Sequence, residues 1–288
     1  MAQEPGTGLF QTILWGAAAA TTGTGVLTGG NVSADPATRK RLGAGGLALR
    51  RGGIIKPTGN AEFYVTQTNE GLIALAVRAS YPRGALTSFY AKGGAAEYSL
   101  DYTLAYIDTM RLMYAQGEGL KGNATWQALS VVEGAGVTPV AEGYLDFEDY
   151  EFVCTFEGIE YGILQFEVNL SNKLKPRTNG NTKAAGSVRL PVGMLYGDEE
   201  LTVRLNTDIP IPESVLTTLD DCMDATLGAV FTGTNCDGDV VVITLTNLIQ
   251  ADPTSFAMVA ADAQYEWQNG FMGDPYGGSF AWSFTPAP

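Results

Sequence analysis

The feature that most constrains the fold is an internal repeat, because the chain resembles itself when it is shifted by about 138 residues. Residues 59–69 then align with residues 197–207, and both segments alternate apolar and polar side chains before they end in a cluster of Thr, Asn or Asp. Such alternation predicts a strand with one buried face. The upstream residues 26–33 and 163–171 align as well, so we expect at least two strands in each copy.

The elements that follow occur in the same order in both copies. Residues 69–77 and 211–219 each carry one apolar stripe with helical spacing, which predicts a short α-helix lying on a sheet. A strand, a turn (Gly93-Gly94 or Asp237-Gly238) and a second strand come next, as in a β-hairpin. A further long strand completes each copy.

These elements predict a mainly β protein with two tandem β-sandwich or barrel domains, each flanked by one short α-helix and each carrying a long loop. We expect an N-terminal arm at residues 1–22, a first domain at residues 23–138, and a second domain with a short C-terminal tail at residues 139–288. The linker is expected at residues 131–142. The 36 glycines, 13 tyrosines and 12 phenylalanines suit many short strands joined by turns.

Each copy also contains a long polar stretch in which basic residues collect, at residues 34–58 and 172–196. The chain has 17 Lys and Arg against 31 Asp and Glu, with a net charge of −14. Because the signs of charge separate along the chain, we interpret both stretches as irregular loops with an interaction role. Their basic residues are Arg39, Lys40, Arg41, Arg50, Arg51 and Lys56 in the first stretch and Lys173, Lys175, Arg177, Lys183 and Arg189 in the second.

The sequence predicts no enzymatic activity, no metal and no cofactor. It has no histidine, the commonest general base, and its three cysteines have no CxxC spacing. Carboxylate clusters at residues 146–151 and 198–200 are interpreted as solvated surface, and neither a phosphate-binding loop nor a dinucleotide-binding motif is present. We expect Cys154, Cys222 and Cys236 to be buried free thiols, with a Cys222–Cys236 disulfide as the alternative.

The sequence also predicts no membrane segment. Its longest weakly polar stretch, residues 9–20, is shorter than the roughly 20 residues that span a bilayer. Glu4 and the lack of early basic residues argue against a signal peptide, so we expect assembly in a cytoplasm. The acidic net charge argues against ordinary nucleic-acid binding through phosphate neutralisation.

The order of these elements resembles the tail tube (major tail) proteins of long-tailed bacteriophages and related archaeal viruses, with two tandem tube domains in one chain. Residues 62–77, preceded by Arg50-Arg51-Gly-Gly, are similar to the segment that follows the stacking loop in that family. Residues 163–205 resemble the same hairpin in a second copy. The resemblance covers most of residues 23–285 and is a pattern of order and spacing.

The resemblance implies a structural virion subunit whose domains form rings of six, with the inner strands joined into one barrel. Two domains per chain then imply pseudo-sixfold trimers, with a hexamer as the alternative, that stack through the eleven basic residues into a tube. The expected bore is acidic and conducts DNA without specific binding during genome ejection. Expected partners are further copies of the chain, the tail terminator, the tape measure and the tail tip, in a virion tail assembled in the host cytoplasm without a membrane.

Other functions remain open from the sequence. A β-sandwich that binds a ligand or carbohydrate would use the many aromatic residues, although core packing accounts for them equally well. Another virion component, such as a tail terminator or a tail-tip protein, would share the same type of domain.

Overall fold

The computed structural model describes residues 11–15, 27–40, 48–65, 73, 76, 84–92, 95–134, 151–156, 158–177, 191–211, 227–258, 265–273 and 279–287. The strands within these ranges are β1 (Gln11–Trp15), β2 (Leu27–Lys40), β3 (Ala48–Tyr64), β4 (Gly84–Lys92), β5 (Ala95–Ala115), β6 (Gly119–Gln127), β7 (Ser130–Gly134), β8 (Glu151–Phe156), β9 (Ile159–Ser171), β10 (Lys175–Arg177), β11 (Gly193–Leu195), β12 (Glu200–Thr207), β13 (Leu227–Thr234), β14 (Val240–Met258), β15 (Tyr265–Gly273) and β16 (Ser279–Thr285).

The protein is mainly β, as the alternating sequence segments predict. One sheet contains fourteen strands, and all of its pairings are antiparallel. Its longest path runs β12-β15-β14-β13-β8-β9-β5-β6-β3-β2, and β10 and β11 form a separate two-stranded sheet. We call β1–β7 the N-terminal half and β8–β16 the C-terminal half.

The C-terminal half closes on itself. Because β9 pairs with both β8 and β12, the strands β8-β9-β12-β15-β14-β13 form a closed cycle, which is a six-stranded barrel. Closure removes sheet edges along the cycle. Buried rings from different strands pack together: Phe166 lies 4.9 Å from Phe231, and Phe156 lies 5.4 Å from Phe271, between ring centroids.

The N-terminal half has the pairing order β1-β4-β5-β6-β3-β2 and is open, since no pairing joins β1 to β2 within the described residues. Its core includes Phe63, Tyr102 and Trp126, and the last two rings meet edge to face at 5.7 Å. One hydrophobic cluster runs through both halves.

The prediction of an irregular loop is wrong for the described residues of the first basic stretch, whereas the described residues of the second stretch are partly strand and partly irregular. In the first stretch β2 and β3 form a long hairpin that continues to the pair Lys40 and Ala48. A register shift falls at Pro36, opposite Gly52-Gly53, where a residue without an N–H is tolerated. The second stretch contains the short β10–β11 pairing. Backbone hydrogen bonds hold such hairpins, so strand formation there does not require apolar alternation.

The predicted helices and segment boundaries are described only in part. Ile73 and Ala76 are helical and buried, which fits the helix expected at residues 69–77. The rest of that helix, and residues 212–219 of the second one, lie outside the described residues. β1 belongs to the predicted N-terminal arm and pairs with β4, and β7 occupies the start of the predicted linker and pairs with β5.

Candidate assembly surface

The two halves join edge to edge at a strand pairing between β5 and β9. Seven residue pairs, from Thr109 opposite Ser171 to Ala115 opposite Gln165, form this antiparallel ladder. We call it the internal seam. It makes β2-β3-β6-β5-β9-β12-β15-β14 one continuous sheet of eight strands, with four from each half. We call this the spanning sheet.

One face of the spanning sheet is buried and the other is polar. In β6, for example, Leu120, Gly122, Ala124 and Trp126 are buried, whereas Lys121, Asn123 and Thr125 are partly exposed. The strand registers place a row of such partly exposed or exposed residues across both halves, which we call the polar face. It includes Asn60, Glu62, Thr109, Arg111, Met113, Lys121, Asn123, Thr125, Gln165, Glu167, Asn169, Ser171, Glu200, Thr202, Arg204, Asn206, Gln268 and Met272.

The charges on the polar face are few and nearly balanced. Across the internal seam, an Arg111 guanidinium nitrogen donates to Glu167 Oε2 at 2.7 Å, and this hydrogen bond is the main reason why the pKa of Arg111 is raised. Asn123 Nδ2 donates to Glu62 Oε1 at 3.2 Å. Lys121 is also paired, with Glu118 at 3.0 Å. The surface therefore offers mainly amides and hydroxyls.

A buried asparagine fixes one end of the internal seam. Asn172, which is 1% exposed, donates from Nδ2 to the carbonyl oxygens of Ala76 and Ile107, both at 3.0 Å. Its backbone N–H donates to the carbonyl oxygen of Asp108 at 2.7 Å. Three hydrogen bonds thus tie the residue after β9 to the N-terminal half, where a lost partner would leave buried acceptors unsatisfied.

The Asp108 carboxylate completes this connection. One oxygen accepts a hydrogen bond from the Leu174 N–H at 2.7 Å, and the other accepts one from Gln127 Nε2 at 2.8 Å. Asp108 lies where the β5–β6 register shifts, so the carboxylate is displaced from the regular ladder. We call Asn172 and Asp108 together the seam node. No sequence motif marks either residue, although Asp108 stands between Tyr106 and Met110, where the alternation of β5 predicts an apolar side chain.

The structure places most of the basic residues that the sequence selected on two hairpins. Lys173, with a φ of 45°, pairs through Nζ with Glu200 Oε2 at 2.6 Å, so it has a partner in its own chain. Lys175 and Arg177 are exposed. Arg39 and Lys40 lie in β2, Arg50, Arg51 and Lys56 lie in β3, Lys175 and Arg177 lie in β10, and Arg41, Lys183 and Arg189 lie outside the described residues.

The cysteines follow the expectation only in part. Cys154 is a buried free thiol, and burial raises its pKa well above the ordinary value. The expectation is wrong for Cys236, which is free but exposed because it lies in the turn between β13 and β14. Cys222 lies outside the described residues. Within the described ranges, no three Cys, Asp or Glu side chains are grouped to hold a metal ion.

Among the described residues, no helix has the length and apolar character needed to cross a membrane.

The two longest strands, β5 and β14, share three irregularities, either in their own backbone or in their pairing with a neighbouring strand. Each irregularity of β5 lies 143 residues before its counterpart in β14 (84 and 227, 104 and 247, 107 and 250). Two are register shifts and one is a positive φ at a residue other than glycine, a conformation that few such residues adopt. They are the shifts after Gly84 and Leu227, the φ values of Leu104 (49°) and Asn247 (52°), and the shifts after Ile107 and Gln250.

No protein-family model matches the chain, and no curated protein is significantly similar to it in sequence.

Proposed function

We propose that the chain is the structural subunit of a viral tail tube, in which three copies form a ring of six related domains and the rings stack around a bore for the genome. The internal seam is the observation that carries this proposal. There one half joins the next edge to edge and the polar face continues across the junction. A ring needs a contact that each unit can repeat with the next, and strand pairing at an edge is such a contact.

The proposal includes an internal duplication into two tandem domains. Every strand pairing within the N-terminal half has a counterpart, in the same chain order, within the C-terminal half. The pairings β1·β4, β2·β3, β3·β6, β4·β5, β5·β6 and β5·β7 correspond, in that order, to β8·β13, β9·β12, β12·β15, β13·β14, β14·β15 and β14·β16. The three matched irregularities support the same conclusion, because bulges are specific features of a fold and are seldom shared by unrelated strands.

The dimensions of such a ring suit a genome conduit. Three chains with eight strands each in the spanning sheet would give a barrel of about 24 strands. With strands about 4.8 Å apart and tilted by roughly 35–45°, the barrel would measure about 45–50 Å between opposite backbones. This leaves room for a DNA duplex after the side chains are added. A ring of six chains is the alternative assembly.

The polar face is the proposed wall of the bore. Its described side chains include three carboxylates (Glu62, Glu167 and Glu200) and three basic residues (Lys121, Arg111 and Arg204), so this proposal replaces the expected acidic bore with a wall of balanced charge. Unpaired basic residues would hold DNA by neutralising phosphates, but Arg111 and Lys121 are paired with carboxylates. A wall of amides and hydroxyls with compensated charges would let the duplex slide.

The rest of the proposed function follows from the tube. The chain would act in the virion tail with itself, the terminator, the tape measure and the tail tip, after assembly in the host cytoplasm. The basic hairpins would form the contacts between rings. A carbohydrate-binding module is less well supported, because none of the aromatic side chains whose exposure the structure describes is fully exposed to stack on a sugar.

Negative-stain electron microscopy of the purified full chain tests the proposal. We expect long hollow tubes with a regular axial repeat and six-fold density in end views. Isolated rings that do not stack at high concentration would indicate a terminator-like component instead. A monodisperse monomer at all concentrations would overturn the proposal.

The stacking contacts have their own test. Reversal of Arg39, Arg50 and Arg51 to Glu should impair polymerisation and leave rings. Tubes of normal length from this variant would contradict the stacking role of the first hairpin.

A further inference from the structure

Two strands of the spanning sheet have an open edge. β2 pairs with β3 along one edge, and β14 pairs with β15 from Asp252 to Met258. Within the described residues, no strand lies along the second edge of β2 or along the second edge of this part of β14. Open edges present rows of backbone N–H and C=O groups that can pair with another chain.

The internal seam indicates what fits these edges. In the matched pairings β14 corresponds to β5 and β2 corresponds to β9, and β5 and β9 already pair within the chain. β7 and β16 also have open edges, but these two strands correspond to each other, so no pairing within the described chain indicates a partner for either edge. We infer that β14 of one copy pairs antiparallel with β2 of the next copy. This inference rests on the proposed function, because it uses the same duplication and ring.

The register of this second seam follows from the matched irregularities. Thr109 follows the register shift in β5, and Asp252 follows the equivalent shift in β14; a second shift in β14, between Asp252 and Ser255, has no counterpart in β5. Within the chain, Thr109 lies opposite Ser171. The Asn-Leu-Ser sequence that ends at Ser171 aligns with the Asn-Val-Ser sequence that ends at Ser33 in β2. Asp252 of one copy therefore lies opposite Ser33 of the next.

The second seam lacks the seam node. In the same correspondence Ala251 stands where Asp108 stands in the internal seam, and Ala34 stands in the place of Asn172. Alanine offers no side-chain donor or acceptor. The second seam therefore depends on its backbone ladder, and copies separate at lower denaturant concentrations than the two halves of one chain.

Disulfide trapping tests the register. The variant carries Ser33→Cys and Asp252→Cys, with Cys222 and Cys236 replaced by Ser to remove other reactive thiols. Directly opposed residues in antiparallel strands have Cα atoms about 4.5–5.5 Å apart, within the range that a disulfide spans. After mild oxidation of assembled protein, we expect the band on a non-reducing gel to shift from the mass of one chain to the masses of two and three chains, and no further.

Two matched variants control the geometry. Thr109→Cys with Ser171→Cys places the pair in the internal seam and should crosslink within one chain, with no gain in mass. Ser33→Cys with Met258→Cys displaces one partner by six residues, about 20 Å along the strand, and should give no ladder.

The outcomes separate the seam from the proposed function. Tubes in the microscope without a Ser33–Asp252 ladder overturn the inferred seam and leave the tube function standing. A ladder that ends at three chains, in protein that never forms tubes, supports the seam and overturns the tube. Protein that neither crosslinks nor assembles overturns both.

Discussion

The two halves of the molecule have matching strand pairings but differ in closure. In the C-terminal half, β8 leads into β9 through the short connection at residues 157–158 and pairs with it, so the barrel closes. In the N-terminal half, residues 16–26 lie between β1 and β2, and no pairing joins these two strands within the described residues. A short hairpin connection brings neighbouring strands together at little entropic cost. β8 covers only the start of β9, from Ile159 to Gly162, whereas β5 covers residues 165–171. The open edge of β2 therefore corresponds to the part of β9 that the internal seam covers, and not to the part that closes the barrel.

The same comparison applies to the two seams. The internal seam combines a backbone ladder with the buried seam node, whereas the seam between copies has Ala34 and Ala251 at the corresponding positions. The following variants test these differences, from the largest expected effect to the smallest.

Truncation of a buried aromatic side chain in the C-terminal half should have the largest effect on stability. Phe231 is fully buried and its ring lies 4.9 Å from that of Phe166. Phe231→Ala should lower the free energy of unfolding by about 3–5 kcal/mol, because it leaves a cavity among packed rings. Urea denaturation measures this loss. Val230→Ala, on the other face of the same strand, is the control and should cost less than about 1.5 kcal/mol. Equal losses would contradict the closed barrel core.

Breaking the seam node at Asn172 should come next. Asn172→Ala removes two side-chain hydrogen bonds and leaves the carbonyl oxygens of Ala76 and Ile107 without that donor, which should cost about 2–3 kcal/mol of unfolding free energy. Asn169→Ala changes the same residue type on the polar face and should stay within about 0.5 kcal/mol of the parent. A loss of unfolding free energy at position 172 no larger than that of the control would contradict the stabilising role of the seam node.

Weakening the node at Asp108 should have a moderate effect. Asp108→Asn replaces one acceptor oxygen with a donor, so the bond from Leu174 N–H or that from Gln127 is lost, at about 1–2 kcal/mol. Hydrogen exchange of the Leu174 amide should become faster. Asp198→Asn, at an exposed position, is the matched control and should leave that amide unchanged. Unchanged exchange in Asp108→Asn would contradict the carboxylate's role.

The ion pair across the internal seam should have the smallest effect. The Arg111 and Glu167 side chains are 48% and 24% exposed, and such pairs contribute about 0.2–1 kcal/mol. A double-mutant cycle with Arg111→Met and Glu167→Gln should give this coupling at low salt. At 1 M salt, where the Debye length is about 3 Å, the coupling should nearly vanish. A coupling that persists in high salt would indicate a desolvated pair.

The sequence predicted much of the strand content but not how corresponding strands align. The alternating pattern aligned Gly59 with Gly197. In the structure Gly59 pairs with Trp126 and Val203 pairs with Phe271, and the matched register shifts make these two pairs equivalent. Under the proposed duplication, Val203 is therefore the counterpart of Gly59. The two alignments differ by six residues. An even shift keeps every side chain on the same face, so alternation alone cannot detect it.

The candidate assembly surface could not be predicted from the sequence for a related reason. The basic hairpins were visible as composition, but Arg111, Glu167, Asn172 and Asp108 carry no motif. They acquire their roles only because β5 and β9, whose paired residues are 50 to 62 residues apart along the chain, meet in one register.

The sequence by itself determined that this is a mainly β chain, because a period of two can bury only one face of a strand. It also determined the order of elements that suggests a duplication. Only the tertiary structure decided which edges meet, which strands form the spanning sheet and which face is polar. The physical reason is that every strand edge presents the same backbone donors and acceptors, so the choice of partner depends on chain connections, bulges and buried groups such as Asn172 that act together only in the folded chain.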